Sequence, residues 1–137
     1  MFFTKIKNED TIEDISKVAA LLIHAAKIDE NYSNQEEEII KQTLLKIGVK
    51  KENLEKIIQN GKNIEENSNQ ILEFTREVKN MNYEKKIEII EALWKIVYSN
   101  NKADVYEASL MRRLAGLLYI DNNVMGNIKN KVLKENS

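Results

Sequence analysis

The chain has no cysteine, no proline and one histidine among its 137 residues. Without cysteine it cannot form a disulfide, a thiolate metal site or a cysteine nucleophile, and this fits a reducing compartment. The lone histidine, His24, lacks a second histidine or a cysteine with which to build a transition-metal site. We therefore expect a structural or surface role for His24.

Charge of one sign and long apolar runs are also missing. The net charge is −1 and lysine alternates with glutamate, so we expect neither a nucleic acid nor a membrane as partner. No apolar run approaches membrane-spanning length, and residues 1–8 become charged too early for a signal peptide. We expect a cytoplasmic protein. The length predicts a single domain, residues 1–137, with about ten N-terminal and four C-terminal residues frayed.

The apolar residues recur at intervals of three and four along the chain, which predicts helices and no strand. The fold class is therefore all-α with about seven helices, arranged as three, a linking helix, and three more. Helix starts are predicted at Thr11, Ser33, Asn82 and Asp104, with Asn82 beginning the fifth helix. Gly48 is predicted as a C-terminal cap, and Asn60-Gly61 as the end of the third helix.

A faint internal repeat supports this arrangement. An offset of 71 residues aligns the acidic loop after Asp29 with the loop after Asn100, and each loop precedes an amphipathic helix. The identities are few: Leu22 with Leu93, Glu36 with Glu107, and Ile57 with Ile128. Loop length, helix start and following glutamate agree as well, so we predict two pseudo-symmetric halves.

The first loop and the start of its helix hold the densest carboxylate group in the chain, which comprises Asp29, Glu30, Glu36, Glu37 and Glu38. Hard cations such as Ca²⁺ or Mg²⁺ bind several loop oxygens. The candidate metal ligands are Asp29, Glu36, Asp104 and Glu107. An EF-hand starting at Asp29 fails, because Asn34 stands where the turn needs glycine and Ile40 where it needs glutamate. Any site would need another geometry.

Helix capping is the competing interpretation of the same residues. Ser33 followed by Glu36 forms a capping-box pattern, and Asp104 followed by Glu107 is its aspartate variant. Capping explains the side chains of Ser33, Glu36, Asp104 and Glu107 without a bound metal ion. Asp29 lies four residues before Ser33 and is not covered by the cap, so it is left as a turn residue or a ligand.

No catalytic set accompanies these loops. The sequence has no nucleophile elbow and no Ser/His/Asp arrangement, and its four glycines are too scattered for a phosphate loop, so we expect no enzyme. Trp94 and Tyr98 lie at helical spacing, which favours a core position over a ligand wall. Arg112 and Arg113 are expected to pair with glutamates, including Glu107.

Three segments, together with the first acidic loop, resemble the tellurite-resistance TerB-like family over roughly residues 15–130. The segments are Leu72–Arg76, Glu91–Asp104 and Met111–Leu118, and the first loop is Ala25–Glu37. The resemblance implies a helical fold with internal pseudo-symmetry, and a non-catalytic role in bacterial stress responses with acidic loops that bind metal. A related domain forms the N-terminal part of a membrane-anchored co-chaperone.

The chain departs from the family's usual Ala-Asp-Gly loop. The first copy reads Ile28-Asp29-Glu30, and the second reads Ser99-Asn100-Asn101, where a neutral Asn100 replaces the aspartate. The resemblance therefore implies a stress-response module that binds a divalent metal ion weakly. The alternative is a metal-independent protein-interaction module similar to the co-chaperone domain, with an unidentified partner, acting as a monomer or weak homodimer.

Overall fold

The structure is a computed structural model that describes residues 2–27, 33–67, 72–99 and 105–135. These parts contain seven α-helices, one short 3₁₀ turn at Lys51–Asn53, and no strand, which confirms the predicted all-α class. In chain order the helices are α1 (Phe2–Lys27), α2 (Asn34–Lys46), α3 (Leu54–Glu66), α4 (Leu72–Lys79), α5 (Tyr83–Val97), α6 (Val105–Leu117) and α7 (Asn122–Glu135).

Helix α1 lies at the centre of the fold. Six consecutive residues, Val18 to Ile23, are all at most 1% exposed, so this stretch of the helix is buried around its whole circumference. Its composition explains that position, because a helix that is apolar on every side must be surrounded by other elements. It packs against α3, α4 and α5, and most extensively against α3.

Helix α5 is the second central element. Residues 89–94 are all buried, including one carboxylate, Glu91. The helix packs against α1 on one side and against α2 and α7 on others. The Asn82 side chain accepts a hydrogen bond from the Lys85 amide at 2.9 Å, which confirms Asn82 as the predicted helix start.

Helices α1 and α3 approach each other at Gly61. A β-carbon at Gly61 would lie 2.9 Å from the Ala19 Cβ and 3.1 Å from the Ala20 amide nitrogen. The prediction that α3 stops at Asn60-Gly61 is wrong, since the helix continues to Glu66. The glycine is there for close helix packing, which sequence periodicity cannot distinguish from a helix end.

The start of the first helix was also predicted wrongly. Helix α1 begins at Phe2, so Thr11 lies inside the helix and is not its cap. No glycine or proline occurs between Phe2 and Thr11 to interrupt the helix.

The ends of α2 and α6 have the same backbone geometry. The Val49 amide bonds to the Leu44 carbonyl at 3.0 Å, and the Ile120 amide bonds to the Ala115 carbonyl at 3.0 Å. Each end is a Schellman motif with a left-handed residue, which is Gly48 after α2 (φ 108°), as predicted, and Tyr119 after α6 (φ 56°).

These equivalences follow the sequence repeat. The bounds of α2 and α6 are related by the 71-residue offset, and so are Gly48 and Tyr119. The 3₁₀ turn with α3 begins at Lys51 and α7 begins at Asn122, again at that offset. The arrangement is consistent with two pseudo-symmetric halves, α1–α3 and α5–α7, with α4 between them.

Candidate functional site

The start of α2 holds the one predicted metal ligand whose side chain the structure describes, Glu36. The other three fall elsewhere: Asp29 and Asp104 lie outside the described residues, and Glu107 lies in α6 at a position whose side chain is not described. Any meeting of the two acidic loops therefore stays a prediction.

Glu36 forms the predicted capping box with Ser33. The Glu36 Oε1 accepts hydrogen bonds from the Ser33 amide at 2.9 Å and the Ser33 hydroxyl at 3.0 Å. The Glu36 amide in turn donates to the Ser33 hydroxyl oxygen at 3.2 Å. Glu36 is 1% exposed, so its carboxylate is held inside the first half and is part of the helix start.

The next two carboxylates on α2 have different surroundings. Glu37 pairs with Lys62 of α3 at 3.1 Å and lies 3.9 Å from Lys41 on its own helix. Glu38 is exposed, and it accepts a hydrogen bond from Gln42 at 3.1 Å. Two lysines thus offset the charge of Glu37, which lowers the attraction of this helix start for a cation.

The described residues contain no group of three or more histidine or acidic side chains arranged to hold a metal ion. A cation site at the first loop would therefore depend on Asp29 and its neighbours in addition to α2.

A second polar cluster joins the C-terminal ends of α1 and α3. The Glu65 carboxylate bonds to the Lys27 ammonium at 2.7 Å and to the His24 Nδ1 at 3.2 Å. Burial alone would raise the pKa of Glu65, but the bonds from Lys27 and His24 outweigh burial and hold the pKa below its ordinary value. The hydrogen bond to Glu65 likewise raises the pKa of Lys27.

A third cluster joins α5 to α7. Glu91 is 9% exposed and bonds to Lys131 of α7 at 2.7 Å and to Lys95 at 3.3 Å. Burial acts to raise the pKa of Glu91, but the bonds from Lys131 and Lys95 lower it below the ordinary value. Sequence reasoning missed both Glu65 and Glu91. The four-residue spacing of Glu91 and Lys95 could have indicated their ion pair. Nothing in the sequence indicates how far Glu65 and Glu91 are shielded from solvent.

Trp94 lies in the core, 6% exposed, as the helical spacing favoured. Its ring stacks on Tyr98 with 5.8 Å between centroids, and the Lys129 ammonium lies 5.5 Å from the ring centre. The buried indole N–H of Trp94 has no hydrogen-bond acceptor among the residues that the structure describes. Arg112 and Arg113 are exposed, and their pairing with Glu107 stays a prediction.

A groove of about 410 Å³ opens between α2 and α5. Ile39 is the apolar residue that lines it, and the other lining residues are polar or charged: Gln35, Glu38, Gln42, Thr43, Lys46 and Lys95. Nowhere in the described part of the chain is a helix both long enough and apolar enough to cross a membrane.

Residues 16–130 match the family described as Tellurite resistance protein TerB. The chain belongs to the TerB family. The match begins within α1 and ends within α7, so the TerB region includes both halves and the linking helix. No curated protein and no solved structure matches the chain.

Membership of the TerB family confirms the resemblance seen in the sequence, and the seven described helices agree with the fold it implied. It assigns no role to individual residues. The assignment of Asp29, Glu36, Asp104 and Glu107 as metal ligands therefore stays a prediction, with Glu36 also acting as part of a helix cap.

Proposed function

We propose that this TerB-family chain is a non-enzymatic module of a stress response, and that it acts by binding. The described polar clusters support this proposal, because their ionisable groups are engaged in bonds between helices. His24 and Lys27 bond to Glu65, and Lys131 bonds to Glu91. Side chains committed in this way join α1 to α3 and α5 to α7, and are poorly placed to transfer protons to a substrate.

The bound species that we propose is a divalent cation, held weakly at the first acidic loop. The observation that carries this is the buried carboxylate of Glu36, fixed by Ser33 at the point where the loop enters α2. Asp29 would complete the site from the loop. Weak affinity is expected because Glu36 Oε1 already accepts two hydrogen bonds and Glu37 is paired with lysine.

Titration of Ca²⁺, Mg²⁺ and Zn²⁺, followed by amide chemical shifts, tests this proposal. In the wild type we expect saturable shifts at residues 29–38 at millimolar metal, and Asp29→Asn should abolish them. Glu36→Gln keeps an oxygen that can accept the hydrogen bonds from Ser33 but removes the charge. It therefore distinguishes a role of Glu36 as a metal ligand from its role in the helix cap. Glu38→Gln is the matched control, since Glu38 is exposed on the same helix.

Two results contradict the cation proposal. One is the absence of saturable shifts near either loop at millimolar metal. The other is a titration in which Asp29→Asn and Glu38→Gln behave alike, because that would indicate nonspecific attraction to surface carboxylates.

A metal-independent protein-interaction module is the second candidate, and the groove between α2 and α5 favours it. Ile39 gives the groove an apolar surface, Thr43 lines it with its hydroxyl bonded to the Ile39 carbonyl, and Gln42 is exposed beside them. In this case a partner should be captured from a cell extract in the presence of EDTA. Gln42→Arg should prevent capture, while Gln59→Arg, at an exposed position of α3 outside the groove, should not. Loss of capture in EDTA would contradict this candidate.

A further inference from the structure

The turn after α6 presents a tyrosine that the fold does not need. Tyr119 has a φ of 56° and is 74% exposed. A left-handed backbone is strained at a non-glycine residue, because the β-carbon comes too close to the following carbonyl oxygen. The equivalent turn after α2 places Gly48 at that position and forms the same pair of backbone bonds. The Tyr119 ring therefore contributes little to the core while its backbone is strained.

Two lysines converge on this turn from different helices. The Lys79 ammonium, at the end of α4, lies 4.5 Å from the centre of the Tyr119 ring. The Lys86 ammonium, on α5, donates a hydrogen bond to the Leu118 carbonyl at 3.2 Å. The ring and the backbone of the turn are thus held beside two positive charges.

A second exposed tyrosine lies on α5, the helix that carries Lys86. Tyr83 is 59% exposed and precedes Lys86 by three residues, which places the two on one face of the helix. Among the described large apolar residues, Tyr119 and Tyr83 have the highest exposure. We name the surface formed by Lys79, Tyr83, Lys86 and Tyr119 the two-tyrosine patch.

Among the carboxylates whose side chains the structure describes, none lies within salt-bridge distance of Lys79 or Lys86. Asp121, two residues after Tyr119, carries a negative charge, but it forms no salt bridge with either lysine, and its Oδ1 accepts a hydrogen bond from the Asn123 amide at 2.7 Å. The lysines of the patch are therefore available to an external anion.

We propose that the two-tyrosine patch docks an acidic peptide segment of a partner protein. The carboxylates of the segment bind the ammonium groups of Lys79 and Lys86, and an apolar or aromatic side chain packs against the rings of Tyr83 and Tyr119. Exposed tyrosines supply rigid contact area at low entropic cost, which is typical of protein-binding surfaces.

A peptide fits this surface better than a nucleic acid or an anionic membrane. Nucleic-acid binding rests on several phosphate contacts along a basic track, and membrane recognition on clusters of about four to eight basic residues. The patch has two converging lysines and two aromatic rings. It shares no residue with the acidic loops or with the groove between α2 and α5, so this inference does not depend on the proposed function.

Fluorescence anisotropy with a labelled, end-capped peptide of sequence Glu-Asp-Glu-Trp-Glu-Asp-Glu tests the proposal, with amide chemical shifts to locate binding. We expect saturable binding with shifts at the patch. Lys79→Glu and Tyr119→Gly should each weaken it by about tenfold, which corresponds to about 1.4 kcal/mol. Lys50→Glu is the matched control, because Lys50 follows the equivalent turn after α2 and is exposed. It should change the affinity by less than about twofold.

Several outcomes would overturn the proposal. These are the absence of saturable shifts at the patch, equal weakening by Lys50→Glu, or equal binding of a Gln-Asn-Gln-Trp-Gln-Asn-Gln peptide. Tighter binding of a single-stranded thymidine dodecamer, or of phosphatidylglycerol vesicles, would assign the patch to a different class of partner. Circular dichroism of each variant confirms that the helices are retained, so a loss of binding is not attributed to unfolding.

Discussion

The two halves of the protein join equivalent helices with different chemistry. In the first half, α3 meets α1 at Gly61, directly against Ala19 and Ala20. In the second half, the offset of 71 places Val132 at the position of Gly61 and Glu91 at that of Ala20. At equivalent positions, α1 and α3 therefore meet through close backbone approach, whereas α5 and α7 meet through a larger apolar side chain beside an ion pair.

The comparison shows which substitutions each half tolerates. The contact at Gly61 has no space for an added methyl group and contains no charge of its own, although Glu65 and Lys27 join the same two helices at their C-terminal ends. The contact between α5 and α7 contains Glu91 at 9% exposure, and it depends on the charge of Lys131 and Lys95. Steric changes at Gly61 should thus act on the first half, whereas loss of carboxylate charge should weaken the helix contacts of both halves.

The largest expected effect comes from filling the contact between α1 and α3. Gly61→Val should destabilise the protein by about 3 kcal/mol, because its Cβ would collide with Ala19 and with the backbone of Ala20. Gly126→Ala, where no atom lies within 4 Å, should stabilise it by about 0.5–1 kcal/mol. Urea unfolding measures both. Equal effects at the two glycines would show that α1 and α3 are not in close contact.

Removing the ion bridge of the second half should have a smaller effect. Glu91→Ala is expected to cost about 2 kcal/mol, because Lys131 and Lys95 lose a buried charged acceptor. Lys131 is well exposed and can be solvated by water, which limits the loss. Chemical denaturation compares this variant with Glu88→Ala on the same helix. An effect no larger than that of Glu88→Ala would contradict the assigned role of Glu91.

Acid should weaken the helix contacts that contain carboxylates. The folded protein holds the pKa of Glu65 and Glu91 below the ordinary value of 4.5, so their stabilisation is present above that pH. It is lost as pH falls below 4.5 through the folded pKa. In unfolding measurements from pH 7 to 3, the Glu65→Gln/Glu91→Gln variant should show a shallower decrease in stability than the wild type. Parallel decreases would assign the acid sensitivity to other groups.

Substitutions at Ser33 and Asp104 test whether the helices after the two acidic loops are capped in the same way. Ser33→Ala should cost about 1 kcal/mol, since it removes the side-chain acceptor of the Glu36 amide. Asp104→Ala should cost a similar amount if Asp104 caps α6 in the same way. Thermal unfolding of the two variants gives the comparison. A neutral Asp104→Ala would show that the second loop lacks the device of the first.

The smallest effect is expected at the left-handed turn residues. Gly48→Ala should cost about 1 kcal/mol through backbone strain. Tyr119→Gly should change stability by less than about 0.5 kcal/mol, because relief of strain offsets added chain entropy and loss of the Lys79 contact. Unfolding in guanidinium distinguishes the two, and a large loss in Tyr119→Gly would indicate that the ring supports the fold.

The helical class, the helix starts at Ser33 and Asn82, and the end of α2 at Gly48 were all correctly predicted from the sequence. Each is a local signal, in which a side chain or a flexible backbone satisfies groups within a few residues of itself. The offset of 71 was also visible, because equivalent helices carry apolar residues in the same phase.

The candidate site could be predicted only in part. The capping role of Glu36 follows from its spacing to Ser33, and the structure confirms it. The burial of Glu65 and Glu91 could not be inferred, since Lys27 lies 38 residues from Glu65 and Lys131 lies 40 residues from Glu91. Long-range pairs leave no periodic signal in one sequence.

The sequence by itself determined the helical class, the helix starts at Ser33 and Asn82, the cap at Gly48 and the repeat, because these follow from the pattern of near neighbours in the chain. The tertiary structure alone decided the role of Gly61, which looked like a helix end and is a point of contact with Ala19. It also decided that Tyr119 would stand exposed in a left-handed turn beside Lys79. Such roles depend on which distant element is adjacent, and helix packing alone determines that.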